Sequence, residues 1–330
     1  MEIFIQQLIN GLTAGSLYAI VALGYTMVYG IIQLINFAHG EVVMFGAMVA
    51  FSVITALVGA NIGLHPALIV LAGTLAAIPV CAGLGFFLER VAYRPLRTAP
   101  RLAPLITAIG MSIILQHIAM LVWSRDPIAF PQIIPLKVFD IAGATITGVQ
   151  IVIVLVSLAM MGLLTLVVYR TKLGTAMRAT AENPQIAGLM GINVDRVIAL
   201  TFVIGAALGA VAGVMVGTYY GIAHYTMGAV LGMKAFSAAV LGGIGNLAGA
   251  MLGGILLGLV EAFGAGYIGE LTDLCHISFI SQSLTDRCAA DGQVILFGSN
   301  YQDVFAFMAL IAVLVFRPSG LLGERVGDRA

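Results

Sequence analysis

The sequence predicts an all-α, polytopic integral membrane protein of eight to nine transmembrane helices, forming one domain over residues 1–330 with a broken or re-entrant helix and an inverted repeat. Three observations predict it. Of the 330 residues 61% are hydrophobic and 9% charged, against roughly 25% charged in an ordinary globular chain. Mean hydropathy is +1.08. Charge-free runs recur at lengths that match the roughly 20 residues a spanning helix needs. So few charges cannot cover a globular surface, which excludes a soluble protein. The 15 basic and 15 acidic residues cancel, so no global field draws the chain to nucleic acid or to acidic substrates.

Taken in order, the runs without Asp, Glu, Lys or Arg are 3–40, 42–88, 102–124, 141–169, 197–233 and 235–260. The second is long enough for two helices, divided near Asn61, Gly63 and Pro66. The fifth and sixth leave room for between one and a half and three. The last run, 304–316, is short; extended to Asn300 and Arg317 it reaches 18 residues, roughly 27 Å of helix. It spans only with Asp303 at an interface.

Lys and Arg near helix ends mark the cytoplasmic side. Arg90, Arg94, Arg97 and Arg101 form one basic loop, Arg170, Lys172, Arg178 and Arg196 a second, and Arg317, Arg325 and Arg329 a tail, together 11 of the 15 basic residues. The segments 125–147 and 264–300 carry only Arg125, Lys137 and Arg287 against six acids, which makes them extracytoplasmic. The N-terminus then lies outside and the C-terminus inside. Met1-Glu2 has no basic n-region and no cleavage site comes after it, so the first helix reads as a retained span.

Glycine, at 40 copies, is the next informative residue. Gly205, Gly209, Gly213, Gly217 and Gly221 recur every fourth position, a stripe that lets a second backbone approach, most simply inside the bundle. The stretch Ala238 to Asn246 interrupts a hydrophobic run with three glycines and an asparagine. Irregular backbone at membrane depth survives only where protein or a cavity shelters it. A weak echo links Phe37-Ala-His-Gly40 to Tyr225-Thr-Met-Gly228, near opposite faces of the membrane by the charge pattern, as an inverted repeat requires.

None of the three lysines follows a glycine, so the chain has no phosphate-cradling G-x-x-x-x-G-K-[ST] loop. H-E-x-x-H, C-x-x-C and G-x-S-x-G are also missing, and five scattered histidines make no metal site. The chain is expected to be no enzyme and to hold no metal or cofactor of its own. Cys81 reads as an apolar filler. Cys275 and Cys288 share the outer loop; as a disulfide they would contribute roughly 3 kcal/mol, and two free thiols are the alternative.

The segment 170–196 reads as a short helix, a turn and a second helix start. Pro184 suits a first helical turn behind Asn183, Gly191 a helix stop, and Asn193 a cap for the next helix. A docking element for a cytoplasmic partner fits this better than a plain solvated loop.

These residues reach a family. Gly24–Ile32, Ile35–Glu41, Glu89–Arg97, Ala108–Ser112, Gly191–Arg196, Met233–Phe236 and Ala238–Gly245 together make the chain resemble, over nearly its whole length, the H-type permease subunits of branched-chain amino acid ABC importers. The resemblance implies a bacterial cell inner membrane complex with a second, M-type permease, two cytoplasmic ATPase subunits that hold ATP and Mg, and a periplasmic substrate-binding protein delivering leucine, isoleucine or valine. It also implies that Arg178, Glu182, Asn183, Gly188, Gly191, Asn193, Asp195 and Arg196 belong to the loop that couples to an ATPase. The outer segment around 271–297 is longer than this family usually has.

A hydrophobic amino acid needs an apolar path with polar groups for its charged ends. Candidate path residues are Asn36, His39, Glu41, Gln116, His117, Lys234, Asn246 and Glu261. Lys234 and Glu261 stand out because an ionisable side chain at membrane depth costs roughly 2.5–3.5 kcal/mol even on lenient scales; a structural pair or snorkelling is the other reading. His39, Gln116 and His117 read equally as interhelical hydrogen-bonders, and Glu41 as a helix-start residue. The alternatives for function are a same-family permease for urea, short amides or other amino acids, and an ion-coupled secondary transporter.

Overall fold

The computed structural model describes residues 2–271, apart from 62, 98, 101, 135, 136 and 142, together with 301–323. Cys275 and Cys288, most of the 264–300 loop, and Arg101, Arg287, Arg325 and Arg329 lie outside the described residues. The chain is an all-α multi-pass membrane protein. Its helices are α1 (Glu2–Ile32), α2 (His39–Gly59), α3 (Pro66–Leu88), α4 (Leu102–Val122), α5 (Gly148–Arg170), α6 (Lys172–Glu182), α7 (Pro184–Leu189), α8 (Val194–Tyr220), α9 (Met227–Gly242), α10 (Leu247–Leu271) and α11 (Gln302–Phe316). Among the described residues seven helices are long and apolar enough to cross a membrane. Helices α9 and α11 are shorter, 16 and 15 residues.

The predicted runs break where local chemistry ends a helix. The first breaks at residues 33–38, where Gln33 adopts φ +53°, so α2 begins at His39. The second breaks before Pro66, which sits in the first turn of α3 behind His65; the His65 ring accepts the Ala67 N–H at 3.3 Å. Helix α3 continues through a π-turn (Glu89–Tyr93) and a 3₁₀ turn (Arg94–Leu96).

Helices α1 and α8 form the centre. Their interiors are buried from Leu17 to Leu23 and from Leu208 to Val214. Large exposed apolar side chains cluster on α3, α4 and α5, among them Leu75, Ile106, Leu121 and Leu155, the surface a hydrocarbon solvent requires. The glycine stripe of α8 faces inward as expected. Gly205 lies against Gly24 of α1, Gly213 against the Val43 carbonyl of α2, and Gly217 against the Phe130 ring. Gly221, at φ +69°, ends the helix.

The break at 238–246 is a tight turn between two helices. Helix α9 stops at Gly242, Gly243 and Gly245 take φ +107° and +99°, and α10 starts behind Asn246, whose Oδ1 accepts the Gly249 N–H at 3.1 Å. Orphan carbonyls at a helix end need partners at membrane depth. The later segment provides them: the Leu321 and Leu322 N–H groups donate to the Leu241 and Gly242 carbonyls, each at 2.9 Å. Asn246 Nδ2 also donates to the Leu322 carbonyl at 2.9 Å.

Contacts between loops show which segments share a side of the bundle. Within the 123–147 segment β2 (Val138–Ile141) and β3 (Ala144–Thr147) form a hairpin, and β1 (Ile128–Ala129) pairs with β4 (Ile222–Ala223), joining this segment to the α8–α9 connection. Gln6 of α1 accepts the Thr145 N–H at 2.9 Å. The start of α1 therefore shares a side with these segments. On the opposite side Asp195 pairs with Arg94 and Arg97, joining the two basic loops.

The echoed segments meet. Each is a turn leading into a helix, with His39 N–H donating to Asn36 O at 3.0 Å and Met227 N–H to His224 O at 3.1 Å. Gly40 and Gly228 then pack backbone to backbone. The Phe37 and Phe236 rings lie 5.7 Å apart, tilted by 51°, while Gly40 faces Gly232 and Gly228. Residue numbers rise in one helix as they fall in the other, so α2 and α9 run antiparallel.

Candidate functional site

Two polar clusters lie inside this apolar bundle. The first surrounds the start of α2. Glu41 is fully buried; its Oε1 accepts from Gln116 Nε2 at 2.8 Å and from Ser112 Oγ at 3.0 Å on α4. Its Oε2 has no partner. A carboxylate in the first turn of a helix gains from the positive end of that helix dipole. Gly228 makes the close approach of α9 possible, since a Cβ there would stand 2.6 Å from Glu41 Oε2. His39 is buried, with Nε2 unpartnered, and the Tyr25 ring meets it edge-on at 5.0 Å. Gly24 leaves the space its ring occupies. Asn36 Oδ1 accepts from the Tyr93 hydroxyl at 2.9 Å.

The second cluster centres on Lys234 of α9. Its Nζ lies 2.7 Å from Glu261 Oε1 on α10 and 2.6 Å from Asp303 Oδ1 on α11. It also donates to the Tyr18 hydroxyl of α1 at 3.4 Å. One cation thus neutralises acids on two helices and ties four helices together. The two clusters lie along α9, with Gly232 beside the Tyr25 hydroxyl between them.

The path candidates therefore divide. Asn36, His39, Glu41 and Gln116 share one neighbourhood, and Lys234 and Glu261 another. Asn246 caps α10, away from both. His117 is exposed on α4 and bonds the Ile113 carbonyl of its own helix at 2.8 Å, so the structure does not bring it to either cluster. Ser112, Tyr18, Tyr93 and Asp303 are members that sequence reasoning did not count among the path residues. Only Asp303 carried a signal, as the one acid in a run too short to hold it in lipid.

The basic loop is self-contained. Thr171 caps α6 through the Gly174 N–H at 3.1 Å. Asn183 caps α7 through the Gln185 and Ile186 N–H groups, both at 3.0 Å, with Pro184 in the first turn. Gly191, at φ +86°, ends α7, and Asn193 caps α8 through the Arg196 N–H at 3.1 Å. Each predicted stop and cap is present. Glu182, Gly188 and Arg196 are placed on this loop, all three exposed. Arg178 and Asp195 are engaged within the protein at its surface: the exposed Arg178 donates to the Val168 carbonyl with its guanidinium 5.4 Å above the Tyr169 ring, and Asp195, its side chain 46% exposed, holds Arg94 and Arg97. Helix α7 and its C-cap present Ile186, Leu189 and Met190 at 57%, 87% and 79% exposure.

A family model described as branched-chain amino acid transport system / permease component matches residues 7–314. The chain belongs to this permease family. Similar family members include the high-affinity branched-chain amino acid transport system permease protein BraD of Pseudomonas aeruginosa, 48% identical over 97% of this chain and 96% of that one. The corresponding LivH of Escherichia coli is 44% identical over 97% and 96%. The xylose/arabinose import permease XylH of Sulfolobus acidocaldarius is 30% identical over 48% of this chain and 45% of its own. No solved structure matches. As a transport permease the chain moves solute across the membrane.

Proposed function

We propose that this chain is the H-type permease subunit of an ABC importer for leucine, isoleucine and valine in a bacterial inner membrane. A second, M-type permease completes the pathway, a periplasmic binding protein delivers substrate, and two ATPase subunits hold ATP and Mg. The permease itself holds no cofactor. The N-terminus and the 125–147 and 264–300 segments face the periplasm; the basic loops and the C-terminus face the cytoplasm.

Helix α7 carries this reading. It is closed at both ends by its own caps, yet it leaves three neighbouring apolar side chains exposed at the end of a basic loop. Such a patch gains from burial against a partner at about 25 cal/mol per Å², and an ATPase groove receiving the 170–196 segment supplies that burial. ATP-driven closure of the ATPases would move this rigid element, and α8 would carry the movement to the glycine-packed centre. The substrate side rests on the likeness to BraD and LivH, which spans nearly the whole chain. The likeness to the sugar permease spans about half. Transport of another small solute through the same machinery is therefore the second reading.

The test is leucine uptake into cells lacking their own leucine importers and carrying this chain with its partners. Leu189→Asp with Met190→Asp is expected to abolish uptake and ATPase copurification while membrane levels stay normal. Unchanged uptake in that variant would overturn the coupling assignment, and uptake of another solute alone would overturn the substrate.

A further inference from the structure

A continuous line of contacts runs from the first turn of α8, just after α7, to the start of α2. It passes through the π-turn Glu89–Tyr93 that continues α3. There the Arg94 N–H donates to the Glu89 carbonyl, one residue farther back than in an α-helix. Such single wide turns are frequent at functional sites.

At the α8 end Asp195 accepts from Arg94 and from Arg97, the latter at 2.7 Å. Arg97 also pairs with Glu89, whose side chain is 1% exposed. A carboxylate buried so deeply needs its cation, so Arg97 is pinned to the π-turn and reaches α8 through Asp195. Ile198 and Phe202, three and seven positions beyond Asp195, lie on the same face of α8. Both are buried in one cluster with Ala92 and Tyr93, and the Tyr93 and Phe202 rings lie 5.1 Å apart. Charge and shape together key the first two turns of α8 to the π-turn. At the other end the buried Tyr93 hydroxyl donates to Asn36 Oδ1 at 2.9 Å. The Asn36 carbonyl in turn accepts the His39 N–H at 3.0 Å, in the turn from which His39 and Glu41 enter the bundle.

We propose that Asp195, Arg97, Glu89 and Tyr93 form a relay through which movement of the coupling loop reaches the polar cluster at the start of α2. Packed side chains and hydrogen bonds of this kind carry coupling between distant sites. A displacement of α8 at Asp195 draws Arg97 and Glu89 with it, and Tyr93 passes it to Asn36. Asp195 and Tyr93 are positioning residues, acting without contact to the ATPase or the solute. Cutting the relay at either end lets ATP be hydrolysed without solute moving. This rests on the importer reading above.

The complete complex, with its ATPases and binding protein, is reconstituted in vesicles, and leucine imported per ATP hydrolysed is measured. Asp195→Asn leaves Arg97 paired with Glu89, and Tyr93→Phe keeps the ring against Phe202, so both spare the buried ion pair. Each is expected to lower the ratio about fivefold, the factor that one hydrogen bond carries, with assembly and the rate of ATP hydrolysis retained. Because the two act in one line, the double variant is expected to fall no further than the lower single. Independent effects would multiply to about 25-fold, and that result would overturn the proposal. A wild-type ratio in either single variant would overturn it too, as would uptake and hydrolysis falling together at an unchanged ratio, the mark of a merely structural role. No leucine import by the wild-type complex would instead overturn the importer reading. An Asp195→Asn complex that fails to assemble leaves Tyr93→Phe to decide by the same ratio.

Discussion

Replacing Lys234 by methionine should be among the most damaging single changes in this chain, and the reason is arithmetic of charge. The ammonium lies 2.7 Å from Glu261 and 2.6 Å from Asp303. Without it, Glu261, with a side chain only 7% exposed, keeps a buried carboxylate facing another acid. Breaking a buried pair by removing one partner costs about 3–5 kcal/mol. The Asp303 share is smaller because its side chain is 44% exposed and solvent screens it. Glu261→Gln keeps an acceptor and leaves Lys234 paired with Asp303, so its cost is about 1–2 kcal/mol. Asp303→Asn should cost about 1 kcal/mol or less. Replacing Lys234 and Glu261 together by methionine removes both buried charges and should recover most of the loss. The assay is resistance of the detergent-purified protein to unfolding by dodecyl sulfate. A Glu261→Gln variant as weak as Lys234→Met, or a double variant weaker than the single, would refute the reasoning.

Glycine contacts give a matched pair of expectations. Gly213→Ala drives a methyl into the Val43 carbonyl and should sharply lower the folded yield, whereas Gly110→Ala meets nothing within 4 Å and should gain about 0.5–1 kcal/mol from helix propensity; fluorescence-detected size-exclusion profiles compare them. Asn246→Ala removes the α10 cap and the bond to Leu322, and should lower stability by about 0.5–2 kcal/mol in the same unfolding assay. It should also speed proteolysis within 319–323 at unchanged expression.

What the sequence made legible was local. Asn183, Pro184, Gly191 and Asn193 could be assigned because caps and stops act within one helical turn. The inward stripe from Gly205 to Gly217 was legible because helical periodicity needs no knowledge of the partner. The Gly40–Gly228 meeting was visible only as a faint echo, since backbone contact between distant segments constrains few side chains. Asp303 joining Lys234 and Glu261 was not legible, because an ion pair among three helices depends on their packing. The separation of His117 from both clusters was not legible, because a polar residue in an apolar run looks alike whether it faces neighbours or its own helix. Asn246 was placed on the path because the Ala238–Asn246 interruption resembled a channel break; its roles, capping α10 and holding Leu322, depend on a segment 76 positions away.

That dependence sets an order for synthesis. When α9 and α10 emerge from the ribosome, the Leu241 and Gly242 carbonyls await donors that have not been made. At about 5–20 residues per second, the 76 positions from Asn246 to Leu322 take roughly 4–15 s. Over that interval the turn depends on water, lipid headgroups or the insertion machinery. The α9–α10 turn is thus among the last joints to be finished, and a chain cut short before residue 321 would keep α9 and α10 with this joint unsealed.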